Sequence, residues 1–256
     1  MRGSLFVGYK PLFVSSNNYL SRIKREFKVK SAGYSGTLDP FATGTLLIAT
    51  EGASRLFNYV ELEPKRYKAT LWLGAKSETL DIEGATTIEE TPTFEPSTIQ
   101  KAIIGLKDIS TITPPKYSAK RVDGKRAYEL ARADKEVKLK ECAIKVFDAK
   151  LILYSHPFVT FEVSVSKGAY VRTLGEITAK TLGVCGALSS LERLSEGKFR
   201  YENKKELDIR ASLKIPKNRY KKDKTDIIHG KKVDISDFEI QEDGVYYLDR
   251  GDALSI

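Results

Sequence analysis

Histidine, cysteine, tryptophan and methionine are scarce in this chain: two His, two Cys, one Trp and one Met among 256 residues. His156 and His229 stand apart from each other and from Cys142 and Cys185. No pair has the spacing of a zinc ligand set, so no metal site is expected. Two cysteines without a framework of pairs suit a reducing compartment, and a cytoplasmic location is expected. Hydrophobic residues make up 41% of the chain, yet no apolar run approaches the ~20 residues of a membrane-spanning helix, the pattern of a soluble globular protein. The apolar start at Leu5-Phe6-Val7 is cut short by Lys10-Pro11, so no signal peptide is expected. Neither a P-loop nor a Rossmann glycine fingerprint occurs, and no nucleotide cofactor is expected. Internal repeats and low-complexity segments are also missing.

What the chain has in excess is positive charge. It carries 43 Lys and Arg against 34 Asp and Glu, a net charge of +9. Such a balance points to a polyanionic partner, although a lysine-rich proteome gives the same excess with no partner at all. The length fits one large domain, or a medium one with a small one.

The stretch from Gly33 to Ala49 organises the rest. Gly33, Gly36 and Gly44 permit turns, and Pro40 pushes Asp39 towards an extended conformation. Leu46-Leu47-Ile48-Ala49 then reads as a short buried strand. Asp39 is thus the single acidic residue on a tightly shaped loop leading into the core. On these residues alone it is either an aimed functional carboxylate or an ordinary turn cap.

Around it the patterns alternate between strand and helix. Leu5–Tyr9 reads as a strand, and Ser16-Asn17-Asn18 caps a helix with Tyr19, Leu20, Ile23 and Phe27 on its inner face. Gly52–Val60 reads as a short helix and Lys65–Gly74 as a strand, with Tyr67, Ala69, Leu71 and Leu73 on one face. Ser77–Gly84 reads as a loop in which Asp81 is a turn residue, and Glu95–Leu106 as a helix with Pro near its start. From Thr113 a proline turn leads into a basic and aromatic stretch with Lys116, Tyr117, Lys120 and Tyr128, whose faces suit stacking on bases and contact with phosphates. A helix is predicted over Ala127–Ala133, and strands over Lys145–Tyr154 and Phe158–Val165. A further helix opens after Ser166-Lys167-Gly168 and runs to about Leu182. Arg172 lies in its first turns, where a cation opposes the helix dipole, so it answers an anion, either Asp39 or a phosphate. From about Lys204 the chain becomes lysine-rich, with short strand signals at Asp237–Ile240 and Val245–Leu248.

The twelve residues Gly33-Tyr34-Ser35-Gly36-Thr37-Leu38-Asp39-Pro40-Phe41-Ala42-Thr43-Gly44 resemble the catalytic motif of the TruB family of tRNA pseudouridine synthases. Lys10-Pro11 with Ser15-Ser16, Lys65-Arg66-Tyr67-Lys68-Ala69, Pro114-Pro115-Lys116-Tyr117-Ser118-Ala119 and Ser166-Lys167-Gly168-Ala169-Tyr170-Val171-Arg172-Thr173-Leu174 resemble further family blocks. The stretches 182–188 and 191–199 resemble the next block less closely. The blocks run from Leu5 to Phe199 in the family's order, which is far more specific than one motif.

The resemblance implies an α+β fold, a mixed and mainly antiparallel sheet flanked by helices with the cleft across its middle. It implies a catalytic domain over 1–203 and a small basic β-rich region over 204–256, similar to a reduced PUA-type RNA-binding domain. It implies that Asp39 is the nucleophile, that Tyr67 stacks on the target uracil and that Arg172 pairs with Asp39. Lys10, Arg66, Lys116, Lys120 and Lys167 would hold the RNA backbone, with Tyr117 among the RNA-binding residues. Tyr34 stands where the family has the histidine that fills the space of the extruded base, and Phe13 where it has glycine. Thr-Leu-Asp-Pro, rather than the Arg-Leu-Asp of sister families, points to the T-loop uridine of tRNA at position 55. Neither metal nor cofactor is implied, and a monomer is the simplest expectation. Two other readings use the same residues: a non-catalytic tRNA-binding chaperone, and a hydrolase or phosphotransferase with Asp39 as its nucleophile.

Overall fold

A computed structural model describes residues 3–122, 124–133, 135–223, 225–229, 231–249 and 254–255. Leu5–Lys10 forms β1, buried on both faces except at Tyr9. Helix α1, Ser16–Glu26, is capped by Ser15, whose Oγ accepts the Asn18 N–H at 3.1 Å. Tyr19 and Ile23, one turn apart, are its buried stripe, and Lys24 and Arg25 complement its C-terminal dipole. Next come β2 (Ala32–Tyr34), β3 (Thr43–Thr50), β4 (Lys65–Leu73), α2 (Pro96–Ile104), α3 (Ala127–Arg132) and β5 (Val146–Ser155). Then follow β6 (Phe158–Val165), α4 (Val171–Thr181), β7 (Gly186–Glu196) and β8 (Glu206–Leu207).

The sheet runs β5-β6-β4-β7-β3-β1-β8, with β2 added to β3. Its neighbours are antiparallel save at β7 and β3, which pair in parallel at only two positions, Glu192 with Thr43 and Arg193 with Gly44. The fold is therefore α+β with a mixed, mainly antiparallel sheet. The sequence assigns no strand to 186–196, yet β7 is the strand that joins the two halves of the sheet. Leu188, Leu191 and Leu194 stand three apart, a helical spacing. The strand keeps its faces only through register shifts at Leu188/Ser190 and Arg193/Ser195, which a strict period of two cannot reveal.

The core has three parts. Leu71, Phe161 and Val163 of the sheet pack against Ile99 and Ile103 of α2 and Leu174 of α4. Phe6, Leu46 and Ile48 meet Tyr19 and Ile23 of α1. Leu5, Val7, Leu47 and Ala49 turn the other way, onto Leu56 and Val60 around the 3₁₀ helix Ala53–Tyr59 and onto Phe199. Cover on both faces explains why Leu46–Ala49 is uniformly apolar rather than alternating.

The main sheet continues past the composition break at 204. Strand β8 pairs Leu207 with Leu5, and Leu207, Ile209 and Leu213 pack on the third part of the core. Farther on, Lys217–Asn218, Tyr247–Asp249 and Leu254–Ser255 form a separate three-stranded sheet. The strand predicted over Asp237–Ile240 is instead a 3₁₀ turn, Ile235–Asp237, followed by a single bridge from Phe238 to Tyr220. Among the described residues no helix is long and apolar enough to cross a membrane.

The parallel contact depends on Gly44. Its φ is +111°, and a Cβ there would lie 2.3 Å from the Arg193 carbonyl oxygen. Gly44→Ala is expected to lose more than about 2 kcal/mol of stability, combining backbone strain with the clash. A lower urea midpoint at unchanged m value would report it, and an unmoved midpoint would contradict the close approach of β3 and β7.

Candidate active site

Asp39 sits on the loop of residues 35–42 between β2 and β3, which has few backbone bonds of its own. Side chains from other elements hold it. The Ser16 hydroxyl donates to the Leu38 carbonyl and accepts the Leu38 N–H, both at 2.9 Å. The Lys10 ammonium donates to the carbonyls of Pro11 (3.0 Å), Val14 (2.7 Å) and Pro40 (3.1 Å). Glu83 accepts the Phe41 N–H at 3.2 Å, and Arg193 Nη2 donates to the Gly36 carbonyl at 3.1 Å. Leu38, Phe41 and Ala42 are buried.

Below the loop lies a buried ion cluster. Glu196, fully buried, faces Lys65 at 3.0 Å and Arg193 at 3.5 Å, and accepts the Ser35 hydroxyl and the Leu47 N–H. Arg193 Nε donates to the Thr45 carbonyl at 2.7 Å. Burial pushes the Glu196 carboxyl up, but the two cations and the two hydrogen bonds outweigh it and hold the group below the ordinary carboxylate range.

Arg172, the second residue of α4, has a side chain only 3% exposed. Its Nε lies 2.9 Å from Asp39 Oδ2. Nη1 donates to the Thr79 carbonyl at 2.6 Å and to Asp81 Oδ2 at 3.3 Å, and Nη2 to the Tyr117 carbonyl at 3.0 Å. A buried guanidinium is tolerable only with its charge paired and its Nη donors engaged in this way. Asp81 is itself buried, its Oδ1 accepting the Thr79 hydroxyl and the Glu83 N–H. The Asp39 carboxyl is pushed above its ordinary range, because burial, reinforced by the nearby Asp81 charge, outweighs the pull of Arg172 and Lys10.

These groups open onto a cleft of about 280 Å³ lined by Asp39, Tyr67, Arg172, Lys65, Tyr170 and Leu191, with Lys120 and Lys167 among its other walls. Lys120 and Lys167 are exposed. Tyr67, 9% exposed on β4, faces the cleft, while Arg66 points the other way and pairs with Glu162 of β6 at 3.3 Å. Lys116 is exposed, and the Tyr117 hydroxyl lies 3.5 Å from Glu78.

Three anticipated contacts do not fit their placement. The first is Arg66, which turns from the cleft to Glu162. Lys10 is fully buried with its three protons on carbonyls, so it braces the Asp39 loop from behind instead of facing a phosphate. Burial pulls its ammonium down to about 8. Tyr34 does not line the cleft; its hydroxyl donates to Asn17 of α1 at 2.8 Å. Asp81, read from the sequence as a turn residue, does cap the turn at Ile82–Gly84 but also supplies the second carboxylate on Arg172. Neither its pairing with Arg172 nor that of Lys65 with Glu196 has a sequence-local signal, because those partners are distant in the chain. Arg193 and Glu196 are only three apart, but their other contacts, Thr45, Gly36, Ser35 and Leu47, are distant. Among the described residues no three His, Cys, Asp or Glu side chains gather as a metal-binding group.

A carboxylate paired with a buried arginine, at the floor of a cleft on a mixed sheet, is a site built to aim one aspartate. The family model described as "TruB family pseudouridylate synthase (N terminal domain)" matches residues 24–171, and the chain belongs to this family. Its relatives include the tRNA pseudouridine synthase B of Sulfurimonas denitrificans, 49% identical over 98% of this chain and 93% of the relative. The protein of the same name from Campylobacter jejuni is 43% identical over 98% of this chain and 92% of the relative. Among solved structures, a chain of a Cbf5–Nop10–Gar1 complex shares the fold with a TM-score of 0.57 and 23% identity. That match covers 78% of this chain and 50% of the other.

Two variants separate the ion pairs by their effect on stability. Glu196→Ala leaves Arg193 buried without its counter-charge and is expected to cost about 3–5 kcal/mol. Asp39→Asn acts in the opposite sense. A raised folded-state pKa means that the native state favours the protonated carboxyl; that stability is full below the ordinary carboxylate range and is lost as pH rises through the raised value. Near neutral pH Asp39→Asn is therefore expected to melt at or above the temperature of the parent, the difference vanishing in acid. Calorimetry across pH checks both, and a large drop for Asp39→Asn would contradict the raised carboxyl.

Proposed function

We propose that the protein is a tRNA pseudouridine synthase that isomerises the T-loop uridine at position 55, with Asp39 as nucleophile. The observation that carries this reading is the Asp39–Arg172 pair at the cleft floor. Arg172 engages Oδ2, while the Asp39 side chain remains 32% exposed towards an incoming nucleotide. The names of the relatives support tRNA as the substrate.

The reaction breaks the C1′–N1 bond, turns the uracil and joins C5 to C1′; N1 gains a proton and C5 loses one. A carboxylate suits it because it can add covalently and leave again. The guanidinium orients Asp39 and favours its charged form by a short ionic contact. Tyr67 forms a cleft wall on which the uracil stacks, and its hydroxyl assists loss of the C5 proton. The target must leave its stack to reach Asp39, so the enzyme flips it. Lys116, Lys120 and Lys167 contact phosphates. A neighbouring hollow of about 760 Å³ shares Lys120 and, against one carboxylate, Glu136, adds Arg121, Lys125, Lys135, Lys138 and Lys140; these cations would extend the positive track along the T-arm.

The test is tritium release from [5-³H]uridine-labelled tRNA transcript in buffer with a chelator. The parent is expected to release tritium and Asp39→Asn to release none. Tight tRNA binding without release would favour the chaperone reading. The acid limb of the activity profile is expected above the ~3.9 of an unperturbed aspartate, since Asp39 must be ionised to attack and its pKa is raised. A limb at or below that value would contradict Asp39 as the titrating nucleophile.

A further inference from the structure

Phe13, in the turn between β1 and α1, combines two features that its surroundings do not explain. Its φ is 55°, in the left-handed region where an aromatic residue is disfavoured and glycine or asparagine is usual. Its side chain is 59% exposed and joins none of the three core clusters. Leu12 beside it is 48% exposed. Fold stability alone favours a small or polar residue at such a turn.

The turn adjoins the site. The Lys10 ammonium holds the carbonyls of Pro11 and Val14, which flank Leu12 and Phe13, and the carbonyl of Pro40, the residue after Asp39. One cation thus ties the turn to the loop that carries Asp39. Pro40 and Thr37 are exposed, and Thr37 lines the cleft. An apolar tip is therefore tethered to the loop that carries Asp39, its backbone braced from within by Lys10.

We propose that Phe13 is a stacking platform for an unpaired base of the substrate RNA, next to the base that enters the cleft; this rests on the RNA-modifying reading above. Proteins hold splayed-out bases on exposed aromatic faces. A tip of two residues is too small for a stable protein interface, and a cleft walled by Lys120 and Lys167 favours a polyanion.

The test measures binding of a fluorescent T-arm stem–loop, steady-state turnover and melting temperature for the parent, Phe13→Gly and Phe13→Trp. Phe13→Gly is expected to raise Kd and KM about tenfold and to leave kcat at saturating RNA unchanged. It should melt at or above the parent temperature, because glycine adopts φ 55° without strain. Phe13→Trp is expected to retain parental affinity. Parental RNA binding by Phe13→Gly would overturn the proposal, as would a loss of several degrees in melting temperature, which would make Phe13 a packing residue. A parent that binds the RNA through Phe13 but forms no product would support stacking while overturning the catalytic reading. A parent that neither binds nor turns over the RNA would overturn both.

Discussion

A buried guanidinium sets the terms for this structure. Arg172 has to be surrounded by acceptors, and the four that surround it come from three separate parts of the chain: Asp39, the turn that holds Asp81 and the Thr79 carbonyl, and the Tyr117 carbonyl. Satisfying one side chain therefore fixes the start of α4, the Asp39 loop, the turn at 79–83 and the segment after the proline turn relative to each other. Asp81 gives the arrangement a chemical advantage. On the proposed mechanism Asp39 loses its charge when it bonds to the nucleotide. Arg172 then still faces one buried carboxylate, so the intermediate does not strand an unpaired cation.

The loop shows the same division between holding and acting. Ser16, Lys10, Glu83 and Arg193 fix its backbone with bonds that reach in from α1, β1, the 79–84 turn and β7, and the loop's own Ser35 hydroxyl donates outward to Glu196. Two of the charges involved sit where burial opposes them: Asp39 is raised and Lys10 is lowered to about 8. Neither placement stabilises the fold by itself. Asp39 is tolerable there because Arg172 pairs with it and Leu46–Ala49, buried on two faces, follows directly and anchors the loop; Lys10 is tolerable because three carbonyls take its protons.

Much of this was legible in the sequence, and the limits follow from the range of each interaction. Asp39 stood out because turn residues and a core strand are local signals. Arg172 stood out because a cation at a helix start is locally unfavourable, and the anion it answers here is Asp39, joined by Asp81. The second carboxylate was invisible because Asp81 satisfies its own turn, so nothing local marked it as having another partner. Strand β7 was missed because its bulges break the period of two. Lys10 was expected to hold the RNA backbone, but the three carbonyls gathered around it, which make its burial possible, come from residues that no local pattern brings together.

Charge around the cleft is arranged in two layers. The inner layer holds four carboxylates, Asp39 with Asp81, Glu83 and Glu196, and four cations, Lys10, Lys65, Arg172 and Arg193. They balance, and Lys10, Arg172 and Arg193 are already held by carbonyls or carboxylates of the protein itself. A phosphate drawn to the floor would have to displace those bonds. The exposed Lys120 and Lys167 on the cleft wall require no such displacement. Attraction for a polyanion is thus strongest at the rim and fades inwards, where Tyr67, Tyr170 and Leu191 offer flat and apolar surface. On the proposed function, a nucleotide held by its phosphates at the rim has only its base left to place in the cleft, the orientation that would bring its glycosidic bond to Asp39.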